Sequence, residues 1–426
     1  MSLRLGIVSF ENVAGPTAGR LATGAGHWAR LDDRLLVWGD ELETARASGI
    51  AVQDAGEIAD GAELRLVTQV GRLFQIDHPD VPVLVDKGRF LVVQLAEEQA
   101  ARMAGHEEVC YKIMPLEDGM VVFERVAPTG RAPEPWIQDL VDQVARPSFE
   151  AALIRLTSFP TRHSLSVHYG TAATWAQDEL RRLGYSIRTE SITVGAGQSL
   201  NVIADRVGVA PVPRDLALVT AHLDSVNHPA GGGPNAPAPG ADDNGSGSAA
   251  MLEIARVLAR HPAKHDLRLI LFGGEEQGLF GSRQYVATLP AAERTRVRSV
   301  INMDMVASLN TPTRTVLLEG APVSQALMDQ LGTAAATYTS LAVQRSLNPF
   351  ASDHVPFINA SMPAVLTIEG ADSANANIHT AGDTLAHIDY DLALDIIRMN
   401  VATTAAALSI SRTPGPFTAV AGGATG

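Results

Sequence analysis

In the stretch LFGGEEQGLFGS, Glu275 and Glu276 stand side by side, directly after an apolar run. Like charges that close raise each other's pKa unless a cation or solvent intervenes. The same juxtaposition recurs along the chain. His222 and Asp224 follow an apolar run in AHLDS, Asp242 and Asp243 close a Gly/Pro-rich loop in PGADDNGSG, Asp304 sits inside VINMDMVA, and His379 lies in NIHTAGDTL. Taken singly, most have an ordinary explanation. A histidine at a strand end is usually a surface or hydrogen-bonded residue, and aspartates ahead of a helix serve as caps. Asp304 fits no such explanation. A carboxylate between Met303 and Met305 is expected to be buried, and a buried charge must be paired or bound to metal. One cation site would account for the whole set.

Two imidazoles with three or four carboxylates and no thiolate form a nitrogen/oxygen donor set suited to zinc, cobalt or manganese. Two divalent ions about 3.5–4 Å apart are commonly bridged by one carboxylate and one water. Such a pair polarises a carbonyl, acidifies the water and stabilises the gem-diolate formed on attack. A general base must take the water's proton, and it must not itself be a ligand. Adjacent glutamates could divide that labour, because successive side chains of extended backbone point in opposite directions.

Positioning such a set requires a sheet whose strands end together. Strand patterns at 200–205, 216–221, 267–272, 300–305, 315–318 and 364–368 alternate with helical patterns at 136–144, 171–183, 247–259 and 392–408. That alternation predicts an α/β domain with a mostly parallel sheet covered by helices on both faces. Sites in such sheets lie beyond the carboxyl ends of the strands. VAPTGRAPEPW, rich in proline, reads as a linker. The expected organisation is a small α+β domain over 1–132, a catalytic domain over 133–412 and a frayed tail over 413–426. In the first domain two segments look alike at an offset of 55, each with an arginine, an apolar run and an Ala/Glu-rich helix, so a duplicated unit is expected there. His106-Glu107-Glu108 lacks the second histidine of a zincin motif.

Composition narrows the function. Apolar residues make up 46% and charged residues 19%, as in a globular protein with a large core. A formal charge of −14 argues against nucleic acid or an anionic membrane as partner. No apolar run approaches the ~20 residues needed to span a bilayer. Cys110 is the single cysteine, which excludes an intramolecular disulfide and a thiolate metal cluster, and its setting EEVCYKI suggests an inert core thiol. The start MSLRLGIVSFENVAG lacks the features of a secretory leader. The compartment is left open: secreted or periplasmic if a leader was removed, otherwise cytoplasmic.

AHLDS, PGADDNGSG, GGEEQGLFGS, NMDM and IHTAGDTL resemble, in order, the five metal-site motifs of the co-catalytic di-zinc aminopeptidases of clan MH. This is the bacterial leucyl aminopeptidase type, related to glutamate carboxypeptidase and glutaminyl cyclase. The likeness runs from about residue 136 to 412. It implies the zinc exopeptidase fold and two zinc ions, with cobalt or manganese as substitutes. It also implies that His222 and Asp304 hold one ion, that Glu276 and His379 hold the other, and that Asp243 bridges them. Glu275 would be the general base acting on the bridged water, and Asp224 would orient the His222 ring. A cis peptide is implied at Asp243–Asn244. LNPFASDHVPF resembles the segment that places Asp353 and His354 near the site.

The chain also departs from that family. A tyrosine usually assists the developing oxyanion, and here Pro349 and Phe350, or Ile378, stand in its place. Met305, Phe350, Phe357 and Ile378 are candidates for an apolar side-chain pocket. The expected function is therefore hydrolysis of the N-terminal peptide bond of a peptide substrate, after an apolar residue. The alternatives are a carboxypeptidase or an amidase acting on a capped small molecule, a single-zinc acyltransferase like glutaminyl cyclase, and a binding protein without catalysis. Arg283 and Arg345 are the arginines a carboxypeptidase reading would use. The N-terminal domain is expected to act as a chaperone-like propeptide, an inhibitor or a cap.

Overall fold

The computed structural model describes residues 3–9, 27–59, 61–103 and 111–410. Cys110, the His106-Glu107-Glu108 stretch and the 413–426 tail lie outside these residues. By contacts the chain divides into two units. The first is Met1–Val126 together with Gln344–Ala351 and Ala371–Ala376, so two short segments from late in the sequence belong with the N-terminal part. The second is Ala127–Val343, Ser352–Gly370 and Asn377–Gly426.

The first unit repeats one arrangement of strands. β1 (Leu3–Ser9), β2 (His27–Leu31), β3 (Arg34–Trp38) and β4 (Val52–Ile58) lie in the order β2-β3-β1-β4, all antiparallel. β5 (Glu63–Gln69), β6 (Val83–Lys87), β7 (Phe90–Leu95) and β8 (Tyr111–Pro115) lie in the matching order β6-β7-β5-β8, again antiparallel. A helix, Asp40–Ala47 or Glu97–Met103, separates the third and fourth strands of each set. Its apolar stripe closes a small core, with Leu42 and Ala45 on Val8, Leu35 and Val37 in the first set and Ala100 beside Val67, Leu91 and Val93 in the second. β9 (Met120–Val126) pairs in parallel with β2.

The second unit is an α/β layer structure around a mixed sheet with parallel strands at its centre. β10 (Ser186–Val194), β11 (Gly197–Arg206), β12 (Leu216–His222), β13 (Asp266–Phe272), β14 (Val297–Met303), β15 (Thr315–Glu319) and β17 (Ala364–Glu369) run in the order β10-β11-β13-β12-β14-β17-β15. β16 (Ala342–Ser346) is divided between the two units. β13, β12, β14 and β17 are parallel neighbours, while β10, β11 and β15 pair antiparallel.

Strands covered on both faces must be apolar throughout rather than alternating. Accordingly every residue of LALVTAH in β12 and of AVLTIE in β17 is buried. On one face Leu218, Ile270, Phe272 and Val300 pack against Tyr285, Val286 and Phe357 from the helices Phe280–Thr288 and His354–Asn359. The helices Gly247–Leu258 and Tyr390–Leu408 pack on each other and on β12. No helix among the described residues is long and apolar enough to cross a membrane.

Candidate metal centre

All the singled-out acids and imidazoles of the second unit come from the carboxyl ends of central strands or the loops beside them. His222 ends β12, the Glu275-Glu276 pair follows β13, and Asp304 follows β14. The expected strand over 300–305 stops at Met303, because Asp304 leaves the pleat and Met305 takes a left-handed φ of 55°. The two glutamates are likewise not extended. Gly274 has φ 68°, and the amides of Gly278 and Leu279 both donate to Glu275 O, so the pair lies in a tight turn. That turn is pinned by Asp224, whose two carboxylate oxygens each accept from one glutamate amide, Glu275 and Glu276, both at 3.3 Å.

The loop carrying Asp243 needs glycine twice. Gly240 sits at φ 52°, and a Cβ there would lie 2.3 Å from the Asp243 carbonyl oxygen. A Cβ on Gly247 would lie 2.5 Å from Met303 O, where the start of the following helix meets the end of β14. The Asp243–Asn244 peptide is cis, and the Asn244 side chain donates to Met303 O at 2.9 Å while accepting from Gly247 N at 2.8 Å. His379, at φ 57°, is held from behind by the His228 amide on its carbonyl at 3.0 Å.

Two triplets result, each able to hold a metal ion: His222, Asp243 and Asp304, and Asp243, Glu276 and His379. His222 Nε2 lies 3.1 Å from Asp304 Oδ1 and 3.3 Å from Asp243 Oδ1. His379 Nε2 lies 3.0 Å from Asp243 Oδ2 and 3.0 Å from Glu276 Oε2. Asp243 thus offers one oxygen to each triplet. Glu275 belongs to neither, with Oε2 4.0 Å from His222 Nε2.

Further residues brace this arrangement, and the sequence reading did not single them out. Ser352 donates to Asp304 Oδ2 at 2.6 Å and accepts from Asn302 Nδ2 at 2.8 Å; Thr220 in turn donates to Asn302 Oδ1. Asp383 accepts the amides of Asp242 and Asp243, both at 2.9 Å. Arg162, fully buried, donates to the carbonyls of Leu223 and Gly240 at 2.9 and 2.8 Å and so ties the β12 end to the Asp243 loop. The signal for Asp383 was present within IHTAGDTL. Nothing in the spacing marked Arg162.

The electrostatics call for cations. Burial opposes protonation of His222, yet Asp304, Glu275 and their neighbours outweigh it and raise its proton affinity well above that of a free imidazole. His379 is raised in the same way, burial being overcome by Glu276 and Asp243. Burial and then Asp243 push Glu276 up to about 7, and burial pushes Asp353 to about 7 and Asp383 to about 8. Glu275 rises well above an ordinary carboxyl through burial, reinforced by Asp304, Asp353 and Glu276 against the pull of His222. Asp243 moves the other way, because His222 and His379 outweigh its burial. Acids therefore outnumber bases in a buried site, and Glu276 Oε1 and both Asp353 oxygens have no hydrogen-bond partner among the described residues. Ser282 is near enough to lower the Asp353 carboxyl, but its hydroxyl donates to Leu279 O at 3.4 Å. Uncompensated buried carboxylates with nitrogen and oxygen donors converging in two triplets fit divalent zinc.

The remaining sequence candidates fall differently. Asp224 Oδ1 lies 3.5 Å from His222 Nδ1, beside the ring it was expected to orient. Asp353 is buried within the electrostatic reach of His222, Asp224 and Asp304. His354 instead turns to Glu319, 3.4 Å away, with both side chains fully buried. Phe357 is core, packed against Phe272 and Tyr285. Phe350 is grouped with the first unit, Met305 is buried, and Ile378 is partly exposed. Two surface cavities of about 230 and 440 Å³, around Tyr338 and around Trp175, include none of the clustered residues. Tyr169 donates to Leu200 O at 2.8 Å, so its hydroxyl is already committed.

Residues 201–404 match the family model described as Peptidase family M28. Leupeptin-inactivating enzyme 1 of Streptomyces exfoliatus is 33% identical over 210 residues, which is 48% of this chain and 43% of that protein. The chain thus spans less than half the length of this relative. Among solved structures, the Legionella pneumophila LapA aminopeptidase superposes with a TM-score of 0.59 at 18% identity, covering 82% of this chain and 98% of its own. BSAP, a zinc aminopeptidase from Bacillus subtilis, gives a TM-score of 0.56 at 18% identity, covering 62% of this chain and 95% of its own. These likenesses show the fold, and the family match spans every member of both triplets. Over residues 201–404, just under half of the chain, the sequence is similar to peptidase family M28.

Proposed function

We propose that the protein is a zinc-dependent aminopeptidase that holds two ions and removes N-terminal, apolar residues from peptides. The observation that carries this reading is the shared carboxylate: Asp243 turns one oxygen to the His222–Asp304 side and the other to the Glu276–His379 side. His222, Asp304 and Asp243 would hold one zinc, and Glu276, His379 and Asp243 the other. Bound there, the ions supply Lewis-acid polarisation of the scissile carbonyl and acidify the attacking water.

The chain's own groups do the rest. Glu275, in neither triplet, accepts the proton of the attacking water on its carboxylate and returns it to the leaving amine. Asp224 keeps Glu275 in place by gripping the turn through both glutamate amides. Ser352 fixes Asp304, and Asp383 fixes the Asp243 backbone. The surplus of carboxylates favours a substrate that brings a positive charge, as a free N-terminal ammonium does. The Tyr169 hydroxyl donates to Leu200 O and is not assigned to the developing oxyanion. Ile378 and Met305, adjacent in sequence to His379 and Asp304, support an apolar first residue.

The test is a panel of peptides presented with free and with acetylated N-termini, alongside metal analysis. Cleavage confined to free amines, led by Leu, Phe or Met, supports the reading. Equal cleavage of acetylated peptides would reject the aminopeptidase assignment while leaving the metal site standing.

A further inference from the structure

Arg89 in the first unit has no role in the reading above, yet its environment is unusual for a long cationic side chain. The duplicated arrangement offers an internal comparison. Arg34, which opens β3, and Arg89, which directly precedes β7, occupy matching places in the two sets. The Arg34 side chain is 39% exposed and lies 3.6 Å from Asp33. The Arg89 side chain is 4% exposed. It donates to Asp372 Oδ2 at 3.1 Å and to the Phe350 carbonyl at 3.0 Å. A buried guanidinium persists only where acceptors meet it. The chain returns to this unit twice, through Gln344–Ala351 and Ala371–Ala376, and Arg89 meets both returning segments.

Those two returning segments are held at several points within the unit. Ser346 Oγ and Asn348 Nδ2 both donate to Val122 O at 2.8 Å. Ser373 Oγ donates to Gln69 O at 3.4 Å, and the Gln69 amide donates to the Arg89 carbonyl at 2.8 Å. Arg89 grips both segments at once. The chain then runs straight into the metal centre. Ala351 alone separates Phe350 from Ser352, which donates to Asp304. The segment 373–378 separates Asp372 from His379, a member of the second triplet.

We infer that Arg89 is a positioning residue for the metal centre: by clamping Phe350 O and the Asp372 carboxylate it fixes the approaches to Ser352 and to His379. The inference rests on the two-ion reading proposed above. Ser352 braces Asp304 in one triplet and His379 belongs to the other, so both ions depend on the clamp. Ligand-orienting partners typically contribute 10–100-fold in metal affinity.

The experiment uses the full-length chain with Arg89→Met, Arg89→Lys and Asp372→Asn, and Arg34→Met as the matched control. Zinc is titrated against a competing chelator, cobalt-loaded samples are followed by visible absorption, and kcat and KM are measured separately. The expected result for Arg89→Met is a roughly 10–100-fold weaker affinity for zinc. The cobalt spectrum changes in step, and kcat falls with little change in KM. Arg89→Lys restores part of the loss and Arg34→Met behaves as wild type. An Arg89→Met protein that melts lower but binds both ions with wild-type affinity and turns over normally overturns the inference. If Arg89→Met does not fold, Asp372→Asn is judged by the same two criteria. A wild-type chain that binds no zinc would strike the functional reading itself, which separates the two failures.

Discussion

Replacing Glu275 with glutamine tests the division of labour between the two glutamates. Glutamine keeps the volume and hydrogen-bonding reach of the side chain but cannot take a proton from water. Glu275 belongs to neither triplet, and its carboxylate stays 4.0 Å from His222 Nε2 while the triplet members approach their imidazoles to 3.0–3.3 Å. The substitution should therefore leave both ions bound. A positioned general base contributes typically 10²–10⁴-fold, about 3–5 kcal/mol of activation free energy. The variant should accordingly lose roughly 10²–10⁴-fold in kcat. KM for a leucyl chromogenic amide and zinc content by mass spectrometry should stay at wild-type values. A kcat within tenfold of wild type would refute the assignment of the base. Loss of zinc would show instead that Glu275 is a ligand, and the mechanism would have to be redrawn.

Ser352→Ala removes the hydroxyl that donates to Asp304 Oδ2 at 2.6 Å; hydrogen bonds to charged groups contribute about 1.5–3 kcal/mol, and the loss should be read as weaker zinc retention in chelator titrations. Gly240→Ala forces a side chain into a left-handed position against Asp243 O, at about 1–3 kcal/mol for the backbone alone; it should lower the melting temperature and reduce zinc retention together. Far from the site, Asp266 accepts from Gly208 N at 2.7 Å and Arg214 Nε at 2.6 Å. Burial raises its carboxyl, but the Gly208 amide, Arg214 and Arg296 outweigh burial and hold it below the usual value of 3.8. Its stabilisation is present above that value and is lost as pH falls through the lower folded-state value. Asp266→Asn should therefore melt below wild type at neutral pH, with the deficit closing below about pH 4 in thermal scans across pH. A deficit independent of pH would contradict this.

How much could be read from the sequence depended on whether a feature leaves a local pattern. β12, β13 and β17 were legible because strands covered on both faces must be continuously apolar. β10 was not, since SITV ends a largely exposed segment whose polar residues break the run. The helix Arg146–Thr157 has a weak apolar stripe, with only Phe149, Leu153 and Leu156 buried, and it escaped notice. The donor residues were legible because each sits at the end of such a strand or in a motif with glycine. Their supports were not. Arg162, Asn302 and Ser352 act through carbonyls and side chains brought together only by the fold, and no spacing announces them. The return of Gln344–Ala351 and Ala371–Ala376 to the N-terminal unit was equally invisible, because a linear division by composition cannot detect a chain that crosses back. The turn at Gly274 shows the opposite error. The division of roles between Glu275 and Glu276 was expected from extended backbone, whereas Asp224 and a tight turn produce the arrangement.

The central claim is that Asp243 lies between two zinc ions, one on each oxygen. Anomalous diffraction at the zinc edge from zinc-loaded crystals, with zinc content measured on the same protein, tests it most directly. Two equivalents per chain and two peaks are expected, one beside His222 and Asp304 and the other beside Glu276 and His379, each approached by a different oxygen of Asp243. One equivalent with a single peak, or peaks away from Asp243, would contradict it.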